Sequence, residues 1–299
     1  MSSRSGSTPP TAATASEQRE IDAAIAHVRA RIRIAGEYRV AVRPPPGSEY
    51  EKAHKDSRGN DPGPLAELLL TSSDFHLMTL ATALSTRELY PLGGYTLLRG
   101  AAEPAARAAW LMDPGVSAKA RRARVLVERL NALQERRKFK DQRRKADDRI
   151  AKLVEDATAL GHRPVDSKVK KPEHFGEVRT SATTLFGQLL PDISRPGADP
   201  FGADLYRLLS GFTHSVPWAL LAQSERYQGE RPGYQWARIE LNPAWLLAAQ
   251  AEVLELHDIA HERLAAQVGE GREPWRALLR TLPAPPNPAR LLKLLGRAT

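Results

Sequence analysis

Between Gly115 and Gly161 the chain contains neither glycine nor proline. Those two residues are the strongest local breakers of regular structure, so a run this long without them is built for α-helix. Val125, Leu126, Leu130 and Leu133 recur at helical spacing, and Ile150, Leu153 and Val154 resume the stripe. The intervening RRKFKDQRRKADDR offers only Phe139 and Ala146 to a core. That middle is either a solvated, projecting helix or an excursion between two helices.

Charge concentrates in the same region. Of a formal net charge of +9, residues Ser117 to Arg149 carry thirteen Lys or Arg against five Asp or Glu, which leaves the remainder near neutral. A concentrated basic segment attracts nucleic acid or another polyanion. Arg136, Arg137, Lys138, Lys140, Arg143, Arg144 and Lys145 are the residues expected to touch RNA. The plain alternative is a solvated face of a basic helix.

The rest of the chain reads as helix too. Ile21, Ile25, Val28 and Ile32 mark a first helix, which PPPG (44–47) and DSRGNDPGP (56–64) separate from the remainder as an arm. A second helix over 65–89 is apolar enough to lie deep in the core. A third follows Pro91 and ends near Asp113–Pro114. Val178, Ala182, Leu185, Phe186 and Leu189 share a later face. Residues 224–241 are the least helical. Asn242–Pro243 then opens a helix expected to bury Trp245, Ala249, Val253, Leu256, Ala260 and Leu264. The expected fold is all-α: one multi-helix bundle with an N-terminal helical arm, a long basic helix and a short non-helical excursion. Its divisions are a disordered tail (1–16), helix and loop (17–63), helical core (64–268) and a C-terminal appendage (269–299) that includes ARLLKLLGR.

Cysteine is absent, which excludes disulfides and thiolate metal sites. No stretch of 18 apolar residues exists, and the first sixteen residues lack a secretory apolar middle, so a cytoplasmic protein without membrane contact is expected.

Two places carry chemistry. In YRLLSGFTHS, Arg207 and His214 lie seven positions apart, about 20° short of two helical turns, so they face one side. A guanidinium can fork phosphate oxygens while an imidazole moves a proton near neutral pH. Gly211 between them is expected to bend or end the helix. On the third helix Arg99, Glu103 and Arg107 fall at i, i+4 and i+8 among Leu, Ala and Trp. Charges there require partners. A mutual Arg–Glu–Arg bridge is the simplest arrangement; the sharper one has Glu103 reaching Arg207 or His214. Pro104 adds a kink that Gly100 eases.

LLRGAAEPAARAAWLMDP together with YRLLSGFTHS, over residues 65–222, resembles the HEPN superfamily of helical nucleotide-binding domains. The resemblance implies a bundle that dimerises and, in active members, metal-independent RNA cleavage at a site built from the Arg and His of both protomers. Carried over, Arg207 holds the phosphate, His214 transfers the proton, and no cofactor or metal is needed. A homodimer and a neutralising or activating protein partner belong to the same expectation. Active members carry a polar residue directly after the arginine; Leu208 stands here. The rival reading is a non-catalytic interaction protein with Arg207, His214 and Glu103 in a buried polar network.

HDIAHE supplies a third possibility. His257 and His261 at i, i+4 have a metal-ligand spacing, as a metal-dependent hydrolase requires. Asp258 stands where the zincin helix has glutamate, and both histidines flank the apolar stripe at the helix surface.

Overall fold

The computed structural model describes residues 15–286 apart from 44, 47–50, 52–54, 56, 87–90, 167–171, 192–200, 223, 229–234 and 240–242. Residues 1–14 of the N-terminal tail and ARLLKLLGR lie outside the described residues, whereas Ala15 and Ser16, counted with the tail, already belong to the first helix. Among the described residues there are ten helices: α1 (Ala15–Ala41), α2 (Pro62–Thr86), α3 (Pro91–Leu111), α4 (Ala118–Arg136), α5 (Arg143–Ala159), α6 (Ala182–Leu189), α7 (Phe201–Thr213), α8 (Pro217–Ala222), α9 (Pro243–Gln267) and α10 (Glu273–Leu279). Two antiparallel ribbons complete them, β1 (Val165–Asp166) with β2 (Pro172–His174), and β3 (Ser224–Gln228) with β4 (Gln235–Ile239). The protein is all-α. No helix among the described residues is long and apolar enough to cross a membrane.

α3 is the hub, packed against α2, α9, α7 and α6. Its alanines make this possible: Ala101, Ala102, Ala105, Ala106, Ala108 and Ala109 are all buried, and side chains this short let helices approach from several directions. Gly100 serves the same end. A Cβ there would lie 2.7 Å from the His76 ring of α2, so the glycine admits a neighbour as well as sitting one turn before Pro104.

α1 is no arm. Ile21, Ala24, Ile25 and Val28 belong to the largest core cluster together with α2, α3 and α9. The loop that precedes α2 is anchored as well, since Arg129 of α4 donates to Asn60 Oδ1 at 2.8 Å and Asn60 is buried. The expected boundary at residue 268 dissolves for the same reason. Trp275 of α10 is wholly buried against Ala35, Tyr38 and Val42 of the α1 region.

The long basic helix is two helices joined by a turn at 137–142, where Lys138 N donates to Glu135 O and Gln142 N to Phe139 O. The excursion reading is the one realised. α4 and α5 close over a core of their own, built from Leu126, Leu130, Leu153, Ala157 and Phe175. Other expectations fail locally. Leu68 and Phe75 of α2 face solvent, and Val178 precedes α6, whose cap is Ser181 accepting from Thr184 N.

Gly211 does not break α7. The helix runs on to Thr213 and ends in a Schellman motif: Ser215 takes a left-handed φ of 53°, its N–H donates to Phe212 O, and Val216 N–H donates to Gly211 O. His214 is the cap residue of that helix. Gly211 is instead a contact point, because a Cβ there would meet Ala219 Cβ of α8 at 2.8 Å.

Candidate functional site

Arg207 and His214 both emerge on the exposed side of α7, as their spacing requires, but they serve different neighbours. Arg207 Nη1 donates to Asp204 Oδ1 at 2.8 Å, one turn back on the same helix. His214 faces Arg99 of α3, whose Nη1 lies 3.2 Å from His214 Nε2. A guanidinium can only donate, so Nε2 accepts and the ring in this arrangement is neutral with its proton on Nδ1. Arg99 Nη2 donates to Tyr206 Oη at 3.3 Å, and its carbon sits 5.7 Å from the Tyr206 ring centre.

Glu103 does not reach Arg207 or His214 directly. Arg99 stands between, 3.8 Å from Glu103 Oε2, while Arg107 lies 3.4 Å from Oε1. The Arg–Glu–Arg bridge is therefore present, and it continues inward. Arg107, nearly enclosed, donates to Glu128 Oε1 of α4 at 2.7 Å, and Arg179 Nε reaches the same carboxylate at 3.2 Å. Arg107 joins α3, α4 and the strand of chain before α6. Its role is structural, and Glu103 is the link between that network and the half-buried Arg99.

The basic segment forms the tip of the α4–α5 hairpin. Arg136, Lys138, Lys140, Arg143, Arg144 and Lys145 are exposed, with Phe139 among them 63% exposed. Several of the cations are engaged locally: Lys138 with Glu135 at 2.6 Å, the half-buried Arg137 with Asp147 at 2.5 Å, and, at longer range, Arg136 with Gln142 Oε1 and Arg143 with the Arg137 carbonyl.

His257 and His261 overturn their sequence reading most completely. Both are fully buried, on the face of α9 turned toward α1 and α2. His257 Nε2 donates to Asp74 Oδ1 at 2.9 Å, and the other carboxylate oxygen accepts from Arg39. Arg39 Nη1 donates in turn to His261 Nε2 at 3.0 Å, while His261 Nδ1 donates to the His257 carbonyl at 2.8 Å. The ring of contacts closes on itself. Alongside it Arg31 pairs with Asp258, which also accepts from Trp275 Nε1 at 2.9 Å. Burial holds both imidazoles below their ordinary pKa; at His261 any proton added to His257 and the guanidinium groups of Arg39 and Arg31 act in the same direction. A metal would need the very lone pair that Arg39 occupies, and no three potential ligands gather among the described residues. The donor set does not fit a metal hydrolase.

Sequence reasoning missed this cluster because its members come from positions 31, 39, 74, 257, 258 and 261. One signal was available: Arg31, Arg39 and Asp74 are charges on otherwise apolar helical faces. No protein-family model matches the chain, no curated protein is similar to it, and no solved structure matches it.

Proposed function

We propose that this protein engages RNA and cleaves it without a metal at the exposed end of α7. The observation that carries the reading is the contact between His214 Nε2 and Arg99, on a face open to solvent. A phosphodiester entering there draws the guanidinium onto its oxygens and frees Nε2 as a base. The 2′-hydroxyl then loses its proton to Nε2, its oxygen forms a bond to phosphorus, and the bond to the 5′ oxygen breaks. That oxygen takes a proton from water, leaving a 2′,3′-cyclic phosphate and a 5′-hydroxyl. Arg207, two turns along the same face, holds the adjacent phosphate, and the hairpin cations supply longer-range attraction. In this reading Arg99 takes the place that the resemblance gives to Arg207, and the protein works as a homodimer.

The alternative of a non-catalytic interaction protein loses the buried Arg207–His214–Glu103 network expected of it, because Arg207 and His214 are exposed, and draws instead on the Glu103–Arg107–Glu128 network, which is structural whether or not His214 reacts. Incubating labelled RNA with the purified chain in excess EDTA separates the two. Cleavage to a cyclic phosphate, lost in His214→Ala and in Arg99→Ala at unchanged melting temperature, supports the nuclease. Equal cleavage by wild type and variants, or none by any, leaves the interaction protein.

A further inference from the structure

α7, α8 and α9 enclose a groove of about 500 Å3, within the range of small-ligand sites. Its shape follows from the sequence. On α9, Trp245 and Glu252 are seven positions apart and share a face, with the small Ala248 and Ala249 forming the floor between them. The opposite wall is Trp218 of α8, which Gly211 allows to approach α7: a Cβ on Gly211 would lie 3.0 Å from the Trp218 ring. Trp218 and Trp245 remain 52% and 44% exposed, a large indole surface for water to cover. Burial of Trp245 was expected from periodicity, and this groove is why it fails.

The charge in the groove selects its occupant. Asp204 and Arg207 cancel each other at the rim, 2.8 Å apart. Glu252 has no such compensation: among the described residues no cation pairs with it, and the neighbouring charge it feels is another carboxylate, Glu255. Burial, then Glu255, pushes its carboxyl above the ordinary range. A neutral apolar ligand would desolvate Glu252 further. A cation with an apolar body answers both features, placing its charge beside the carboxylate and over the indole faces.

We propose that the groove between α7, α8 and α9 binds an organic ammonium ion with an apolar body. The site borders the proposed RNA face at Arg207, but neither His214 nor Arg99 lines it and it does not depend on RNA cleavage. The test titrates the full chain with benzyltrimethylammonium and with its neutral isostere neopentylbenzene, following tryptophan fluorescence and calorimetry. The ammonium binds about ten-fold more tightly than the isostere, which corresponds to about 1.4 kcal/mol. Glu252→Gln abolishes that preference without altering RNA cleavage or the melting temperature, and Trp218→Ala abolishes binding. Equal affinity for the two probes overturns the proposal, as does a cation preference that survives Glu252→Gln. Absence of ammonium binding at millimolar concentration overturns it too.

Discussion

His257 and His261 lie one turn apart with ring centres 4.4 Å from each other, yet they carry their protons on opposite nitrogens. His257 is protonated at Nε2 because Asp74 accepts there, and His261 at Nδ1 because Arg39 donates to its Nε2. Both are neutral, and a second proton on His257 would sit at Nδ1, a buried atom with no hydrogen-bond partner.

Acid should therefore destabilise the fold. His257, His261, His27 and His162 all have folded-state pKa values below the ordinary 6.5. As pH falls through 6.5 the unfolded chain takes up protons that the folded chain refuses, so stability is complete above that value and declines below it. Glu252 and Glu255, raised by burial and by neighbouring carboxylates, act in the opposite sense and add stability nearer their ordinary 4.5. The urea midpoint is expected to drop between pH 8 and pH 6. His257→Gln, which keeps a donor for Asp74, should flatten that drop. A midpoint that is level or rises on acidification would count against the neutral pair.

Arg31→Met removes one partner of an ion pair whose side chains are 5% and 15% exposed. Stranding Asp258 in this way costs about 3 kcal/mol, the lower end for buried pairs because Trp275 still donates to the carboxylate. Adding Asp258→Asn removes the stranded charge while keeping an acceptor for Trp275, and should recover part of the loss. Denaturant unfolding of the single and double variants measures the coupling.

Two glycines should respond in opposite directions to alanine. At Gly202 a Cβ would fall 2.1 Å from the Phe186 carbonyl oxygen, where α7 crosses α6 and backbone cannot yield cheaply. Gly202→Ala is expected to destabilise by about 3 kcal/mol. Gly36, inside α1, has nothing within 4 Å of its Cβ position, so Gly36→Ala should stabilise by about 0.5–1 kcal/mol. Thermal unfolding of both would test whether helix crossing or helix propensity governs each site.

If RNA lies along the hairpin tip, binding should weaken steeply with salt. Replacing Lys140, Arg144 and Lys145 by alanine should make the log–log salt slope shallower by about 2, since each neutralised phosphate of a single strand contributes about 0.7. His214→Ala should leave the slope unchanged. A slope that the triple variant does not alter would remove the hairpin from the binding surface.

Where one face of a helix decides the matter, periodicity was sufficient. Ala249, Val253, Leu256, Ala260 and Leu264 of α9 are all buried, as their spacing required. Trp245 begins the same stripe but projects past the end of the core into the groove wall. The break at 137–142 carries no glycine or proline, so nothing local announced it; it is set by the return of α5 over α4 onto Phe175. His257 and His261 looked superficial because their charged neighbours lie roughly 180 positions or more away in sequence. Gly211 read as a helix breaker when its use is to admit α8. Of the candidate site, the exposed side of α7 was legible from the spacing of Arg207 and His214. The intervention of Arg99 was not, because it depends on how α3 and α7 cross.

The separate core under α4 and α5 gives the basic tip freedom of length. Leu126, Leu130, Leu153 and Ala157 fix the hairpin at its base, and beyond them Phe139 and the cations Lys138, Lys140, Arg143, Arg144 and Lys145 are exposed. Two extra turns on each helix, seven residues apiece, would carry the tip about 10 Å further out without repacking any buried side chain. The arm can thus be lengthened or shortened like a boom on a fixed mast.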